Sequence, residues 1–579
     1  MIFTTFAENK YTLKQIFLSY FILATFVSFA QVKQPKNYFR NPLDIPSVLS
    51  GTFGELRSNH FHSGIDLKTQ GKEGLKVYAT ANGYVSRIKV AQYGYGKTIY
   101  ISHPNGYTTV YAHLSKYADK IENYVKKIQY KKENYQTGNL FFKEDTFPVK
   151  KGEVIAFTGN TGSSGGPHLH YEIRNTKTEH IINPLIFGLH PEDTIAPVFQ
   201  SLKVYPLHSN SEINKQHKSL IISLKKIKKG VYSADRIFAS GPIGLGVRVF
   251  DRLNKASNKN GINSLEMLVN GKRIYYHNVE TFSFAESKFI NLHIDYSYYK
   301  KYKRRYQKTY KEKANKLSTY KDLINNGQLE IKNGLNYSIE IIAKDYKGNT
   351  SSLKIPIVGK QSNVQFSQIK DTTEFKIIAG NFQKFKKDNI TIAFPKNTFY
   401  EDLYLDFKVE EGIAKIHTPT VPLHKSFTLT FDVSKYSEKE KQQLYIANVE
   451  NPTYPIYQFT RKKDSTFFIT TKILGRYSLL SDTLKPSINL LHFKDKQWIS
   501  KLKTLQVKIF DKGSGIKDYR ATIDGEWILM EYNHKTKIIT YNFNDKKLVG
   551  SKHIFKIVVS DNVGNTNILS TTFYKKQLN

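Results

Sequence analysis

Three short segments of this chain gather side chains that can hold a metal ion. Phe61-His62-Ser63-Gly64-Ile65-Asp66-Leu67 places an imidazole and a carboxylate four residues apart. Gly64 between them disfavours a helix, and in an extended chain positions i and i+4 share a face. Gly166-Pro167-His168-Leu169-His170-Tyr171-Glu172-Ile173 carries His-x-His. On a strand both rings point one way, while Leu169 and Tyr171 point the other. Two same-face imidazoles on a buried strand are costly without partners. The third segment, Tyr111-Ala112-His113-Leu114, would be unremarkable alone. Together they suggest two histidines and an aspartate as nitrogen and oxygen ligands. Zinc fits such a set, and a catalytic zinc keeps one position open. The remaining histidines suit proton transfer and oxyanion stabilisation. The other histidines nearby, His60, His103, His180 and His190, read as turn or surface residues.

The whole chain narrows the chemistry further. It has no cysteine, so disulfides, thiolate catalysis, cysteine-ligated zinc and a lipid-anchored cysteine are excluded. The formal net charge of +38 over 579 residues attracts anionic polymers such as wall and envelope material. It is spread along the chain with no nucleic-acid motif, so nucleic acid is not expected as a partner. Residues 1–30 read as a signal peptide. Lys10 and Lys14 precede the apolar run Ile16 to Phe29, and Ser28-Phe29-Ala30 offers small residues for cleavage before Gln31. An uncleaved membrane anchor is the rival; no second span follows, so no integral span is expected after cleavage.

Elements that could position the ligands lie between residues 47 and 190. Gly83 to Ile88 and Thr98 to Ile101 alternate as strands, and Pro104-Asn105-Gly106 supplies a hairpin turn before Tyr107 to Ala112. Ile121, Tyr124, Val125 and Ile128 fall at helical spacing, predicting a helix over about 116–132. Beyond this region the chain echoes itself. Asp193-Thr194-Ile195-Ala196-Pro197 resembles Asp482-Thr483-Leu484-Lys485-Pro486. Phe250-Asp251 before Gly261-Ile262 is matched by Phe510-Asp511 before Gly515-Ile516. Asp345-Tyr346-Lys347-Gly348-Asn349 is matched by Asp561-Asn562-Val563-Gly564-Asn565. Two copies of an immunoglobulin-like β-sandwich explain this, over 193–360 and 482–579. A helical insertion is expected at about 298–325, and another β-rich domain at 361–481. The fold class is therefore mainly β, and the sandwiches are expected to fold without the first domain.

The order His-x-x-x-Asp, Tyr-Ala-His-Leu, Gly-Asn-Thr-Gly and Gly-Pro-His-Leu-His-Tyr-Glu-Ile, from about Gly51 to Phe187, resembles the lysostaphin/LytM-type zinc endopeptidases. The resemblance implies a small antiparallel β-sheet domain with a groove for an extended peptide. It implies zinc held by His62, Asp66 and His170, with His113 and His168 as the catalytic histidines. The implied substrate is the stem or cross-link peptide of bacterial peptidoglycan, and the implied place is the periplasm or the extracellular envelope. Some relatives are catalytically quiet regulators of other wall hydrolases. A departure is the segment at about 119–146, inserted after Tyr-Ala-His-Leu and expected near a groove wall.

Overall fold

The computed structural model describes residues 36–362 and 372–576. The expected signal peptide lies outside the described residues. The chain is mainly β, and the longest helix among the described residues has 14 residues.

The first domain is built on β1 (Leu49–Gly51), β2 (Ile65–Lys68), β3 (Lys76–Tyr78), β4 (Gly83–Val90), β5 (Lys97–Ser102), β6 (Tyr107–Leu114) and β7 (Lys116–Tyr117). Next come α1 (Asp119–Lys132), β8 (Gly138–Phe141), β9 (Pro148–Val149), β10 (Val154–Phe157), β11 (His168–Asn175) and β12 (Ile181–Ile182). The main sheet runs β1-β2-β11-β6-β5-β4-β8, and a small sheet β3-β10-β7 accompanies it. Period-two alternation places Leu169, Tyr171 and Ile173 of β11 in the core, all fully buried. The Tyr111 and Tyr171 hydroxyls both meet the Thr80 hydroxyl there, at 2.9 and 3.0 Å, so their polar ends are satisfied inside the apolar layer.

α1 starts three residues later than its periodicity suggests, because Lys116–Tyr117 pairs with β10 instead. Its stripe buries Ile121 and Val125, and Glu133 ends it in the left-handed conformation. The inserted segment continues into β8, which pairs with β4 at the sheet edge away from β2 and β11. None of its residues lines the groove beside His168, but its Tyr135 lines a cavity with Asn160–Gly162, the segment whose Thr161 carbonyl meets His113.

Beyond residue 190 lie three further apolar cores, centred on the strands of Val198–Gly359, of 376–481 and of 487–574. The helix expected over 298–325 is corrected. Short helices occupy Phe284–Ser287, Ile290–His293 and Tyr296–Tyr302. Lys303 then turns left-handed, and Gln307–Lys308 pairs with the long strand Ile237–Phe250, burying Tyr306 and Tyr310 rather than continuing a helix. The first core is not self-contained. β12 pairs with Thr281–Phe282, and Phe282, Ile290, Leu292, Ile294 and Leu529 pack into the same apolar cluster.

Candidate metal centre

Asp66 lies on β2 directly opposite His170 on β11, so strand register brings two of the ligand candidates together. His62 arrives differently. It precedes β2, and a bend at Gly64 turns it back, so His62 does not reach Asp66 along one face of an extended strand. A Cβ at Gly64 would stand 2.3 Å from the Tyr171 carbonyl, so only glycine lets this bend lie against β11.

The donor atoms form a tight triangle. His170 Nδ1 is 2.8 Å from Asp66 Oδ1, His62 Nε2 is 3.1 Å from Asp66 Oδ1, and the two nitrogens are 3.2 Å apart. Nitrogen and oxygen ligands at about 2.0–2.2 Å from a tetrahedral zinc stand about 3.3–3.6 Å from each other. The triangle is close to one face of that tetrahedron, and its donor set of two imidazoles and one carboxylate suits zinc. All three residues are buried.

Each ring is fixed from behind. His62 Nδ1–H donates to the Thr52 carbonyl at 2.8 Å, leaving Nε2 to face the triangle. His170 Nε2–H donates to Glu172 Oε1 at 2.9 Å, leaving Nδ1 to face it. Glu172 is fully buried and is held by Arg174 at 2.5 Å, by the Ser63 hydroxyl at 2.6 Å and by the Tyr95 hydroxyl. Burial opposes its charge, but Arg174 and His170 hold its carboxyl well below the usual range. Burial likewise opposes charge on His170, yet Asp66 and Glu172 push it up to about 9. Asp66 is held well below its ordinary value against burial, by His62, His168 and His170. This electrostatic balance favours a cation at the triangle.

His113 and His168 stand beside it, their rings 4.8 Å apart. His113 sits at a β-bulge on β6 with φ of 61°, which re-aims its ring toward the site. Its Nδ1–H donates to the Thr161 carbonyl at 2.9 Å, so the Gly-Asn-Thr-Gly phrase serves to orient it. Burial, then His170 and His168, bring it down to about 3. His168 Nδ1–H donates to the Gly166 carbonyl at 2.8 Å. With Nδ1 so engaged, Nε2 is the accepting nitrogen of each neutral ring, and that of His168 stands 3.5 Å from Asp66 Oδ1. From His168 a shallow groove of about 520 Å³ runs between Lys68–Gly71 and Gly165–Pro167.

The structure therefore brings together all five residues singled out by sequence. It adds Glu172, Arg174 and Tyr95, whose ring stacks on His170 at 5.2 Å. Glu172 and Arg174 follow His170 at i+2 and i+4 on the same strand face, a signal that alternation carries; nothing in the local pattern points to Tyr95. Of the histidines read as turn or surface residues, His103 is buried, bonded to the Asn82 carbonyl and the Thr109 hydroxyl, each at 2.8 Å.

This fold and donor set define a metallopeptidase-type domain. Residues 60–130 and 135–184 match the model for Peptidase family M23, and residues 377–482 match a Zu5-like domain. The chain is 34% identical over 149 residues to the DD-carboxypeptidase/endopeptidase Mpg of Neisseria meningitidis, covering 25% of this chain and 28% of that protein. It is 32% identical over 115 residues to lipoprotein NlpD of Yersinia enterocolitica, covering 20% of this chain and 91% of that protein. Among solved structures, a zinc-containing peptidase from Vibrio cholerae is 25% identical, with a TM-score of 0.20 over 27% of this chain and 41% of that one. The chain belongs to Peptidase family M23, the LytM/lysostaphin family of peptidoglycan endopeptidases.

Proposed function

We propose that the protein is an exported zinc endopeptidase that hydrolyses stem or cross-link peptides of bacterial peptidoglycan. The observation that carries this reading is the triangle of His62, Asp66 and His170, flanked by two imidazoles held through their Nδ1 atoms by backbone carbonyls. His62, Asp66 and His170 would hold zinc, which when bound polarises a scissile carbonyl and lowers the pKa of water from about 15.7 towards 7.

The chain's own residues supply the rest. An extended peptide lies along the groove between Lys68–Gly71 and Gly165–His168, whose glycines let its backbone approach closely. One of His113 and His168 takes the water proton on Nε2. The other stabilises the developing oxyanion or positions the water. The carbonyls of Thr161 and Gly166 hold both rings in orientation throughout. The likeness to Mpg, named as a DD-carboxypeptidase/endopeptidase, supports the peptidoglycan substrate.

The test is incubation of the zinc-loaded protein with purified wall material, reading new amine ends. Release that depends on zinc and on His113 supports the reading. A zinc-loaded, folded protein that releases none would be a wall-binding regulator instead.

A further inference from the structure

In each of the two echoing β-sandwich modules the repeated phrases converge on a feature that zinc chemistry does not use. Asp193, Asp251 and Asp345 converge so that one carboxylate oxygen of each lies within 4.8 Å of the others. Asp482, Asp511 and Asp561 do the same in the last module. These are the aspartates of the three repeated phrases, in the same order. All six are buried, none more than 9% exposed.

The surrounding geometry repeats as well. Asn349 Nδ2 donates to the Asp193 carbonyl at 3.2 Å and to Asp345 Oδ2 at 2.7 Å. Asn565 Nδ2 donates to the Asp482 carbonyl at 3.0 Å and to Asp561 Oδ2 at 2.7 Å. Asp193 Oδ1 caps the Ile195 amide at 3.0 Å, and Asp482 Oδ1 caps the Leu484 amide at 3.2 Å.

One oxygen in each cluster has no partner. Asp251 Oδ1 and Asp511 Oδ1 are both buried and accept no hydrogen bond. Asp251 is 2% exposed and Asp511 9%. Among the described residues no lysine or arginine forms an ion pair with any of the six; the neighbouring Lys255 reaches Glu192 instead. Burial, then Asp193 and Asp345, push the Asp251 carboxyl up to about 8. Buried carboxylates crowded in threes are retained where a cation compensates them. With oxygen donors only, that cation is hard, and a set of carboxylates suits calcium rather than zinc.

We propose that each sandwich module binds one calcium ion, the first through Asp193, Asp251 and Asp345 and the second through Asp482, Asp511 and Asp561. Each ion ties the chain entering its module to two loops of that module. Asp193 lies between the first domain and the strand Val198–Pro206, and Asp482 directly follows the strand Gly475–Ser481. The ions therefore act as clamps at the two domain junctions.

The test is calcium titration of the full chain after stripping with a calcium-selective chelator, read by calorimetry and by thermal unfolding. Wild type should bind two calcium ions per chain, D251N one, D511N one and the double variant none. The asparagines keep the shape of the site while removing charge. Without calcium, each single variant should melt at or above wild type, because carboxylate repulsion is relieved. With calcium, each should melt below it. A merely structural role for the aspartates does not give that crossing. Folded wild type that binds no calcium at millimolar concentration, or single variants that still bind two ions, would overturn the proposal. Equal binding of magnesium would overturn the choice of calcium.

Discussion

Glu172 accepts the Nε2–H of His170 at 2.9 Å, and this contact sets which nitrogen of the ring faces Asp66. Arg174, Ser63 and Tyr95 spend their own hydrogen bonds holding that carboxylate. Replacing the carboxylate by an amide keeps an acceptor for the ring but removes a charge that raises its basicity. Glu172→Gln is expected to weaken zinc binding by roughly 10–100-fold. Competition against a zinc-chelating dye checks this; unchanged affinity would show that Glu172 serves stability alone.

Neither His113 nor His168 belongs to the donor triangle of His62, Asp66 and His170, and His168 Nε2 stands 3.5 Å from Asp66 Oδ1. His113→Ala and His168→Ala should therefore keep zinc while losing roughly 10²–10⁴-fold in hydrolysis. Elemental analysis alongside a peptide-cleavage assay separates the two effects. A variant that cuts at close to the wild-type rate would remove that histidine from the chemistry.

His103 is buried and neutral, with burial bringing it down to about 4, against 6.5 for an exposed histidine. The unfolded chain binds this proton between those values and the folded chain does not. Stability is thus present above pH 6.5 and is lost as pH falls towards 4, by about 2 kcal/mol at pH 5 for this one group. His103→Gln should flatten the fall in melting temperature between pH 7.5 and 5. An unchanged slope would mean His103 is not the titrating group.

Lys97, almost fully buried on β5, gives its charge to Glu531 of the last module at 2.8 Å and to the Ser115 carbonyl at 2.9 Å. Lys126 meets Asp545 at 2.6 Å, and Tyr130 meets Trp527 edge-on at 5.2 Å. Glu531→Ala should cost about 1–3 kcal/mol, less than breaking a fully buried pair because Glu531 stays partly solvated. Limited proteolysis should then release the last module faster. For the same reason a chain ending at Gly188 should fold poorly: it exposes the surface that Phe282, Ile290 and Leu529 cover. Cooperative unfolding of such a chain at the full-length temperature would contradict the shared core.

Much of the site was legible because strand alternation is short-range. His168, His170 and Glu172 share a face by spacing alone, and the helical stripe of Ile121 and Val125 announced α1. What failed depended on contacts distant in sequence. His62 reaches the cluster through a bend packed against β11, not through an extended chain. The segment after Tyr302 left helix for strand because Gln307–Lys308 found a partner over fifty residues upstream. The aspartate echo was visible as a repeat, but only folding shows that its three phrases converge.

The most direct test of the central claim pairs zinc content with bond cleavage in Asp66→Ala. Asp66 Oδ1 is the corner of the triangle nearest both ligand nitrogens, so its loss should abolish tight zinc binding and, with it, release of amine ends from purified peptidoglycan, while the fold persists by circular dichroism. Wild type should carry one zinc per chain at this site and release amines. Full zinc, or undiminished cleavage, in folded Asp66→Ala would contradict the account.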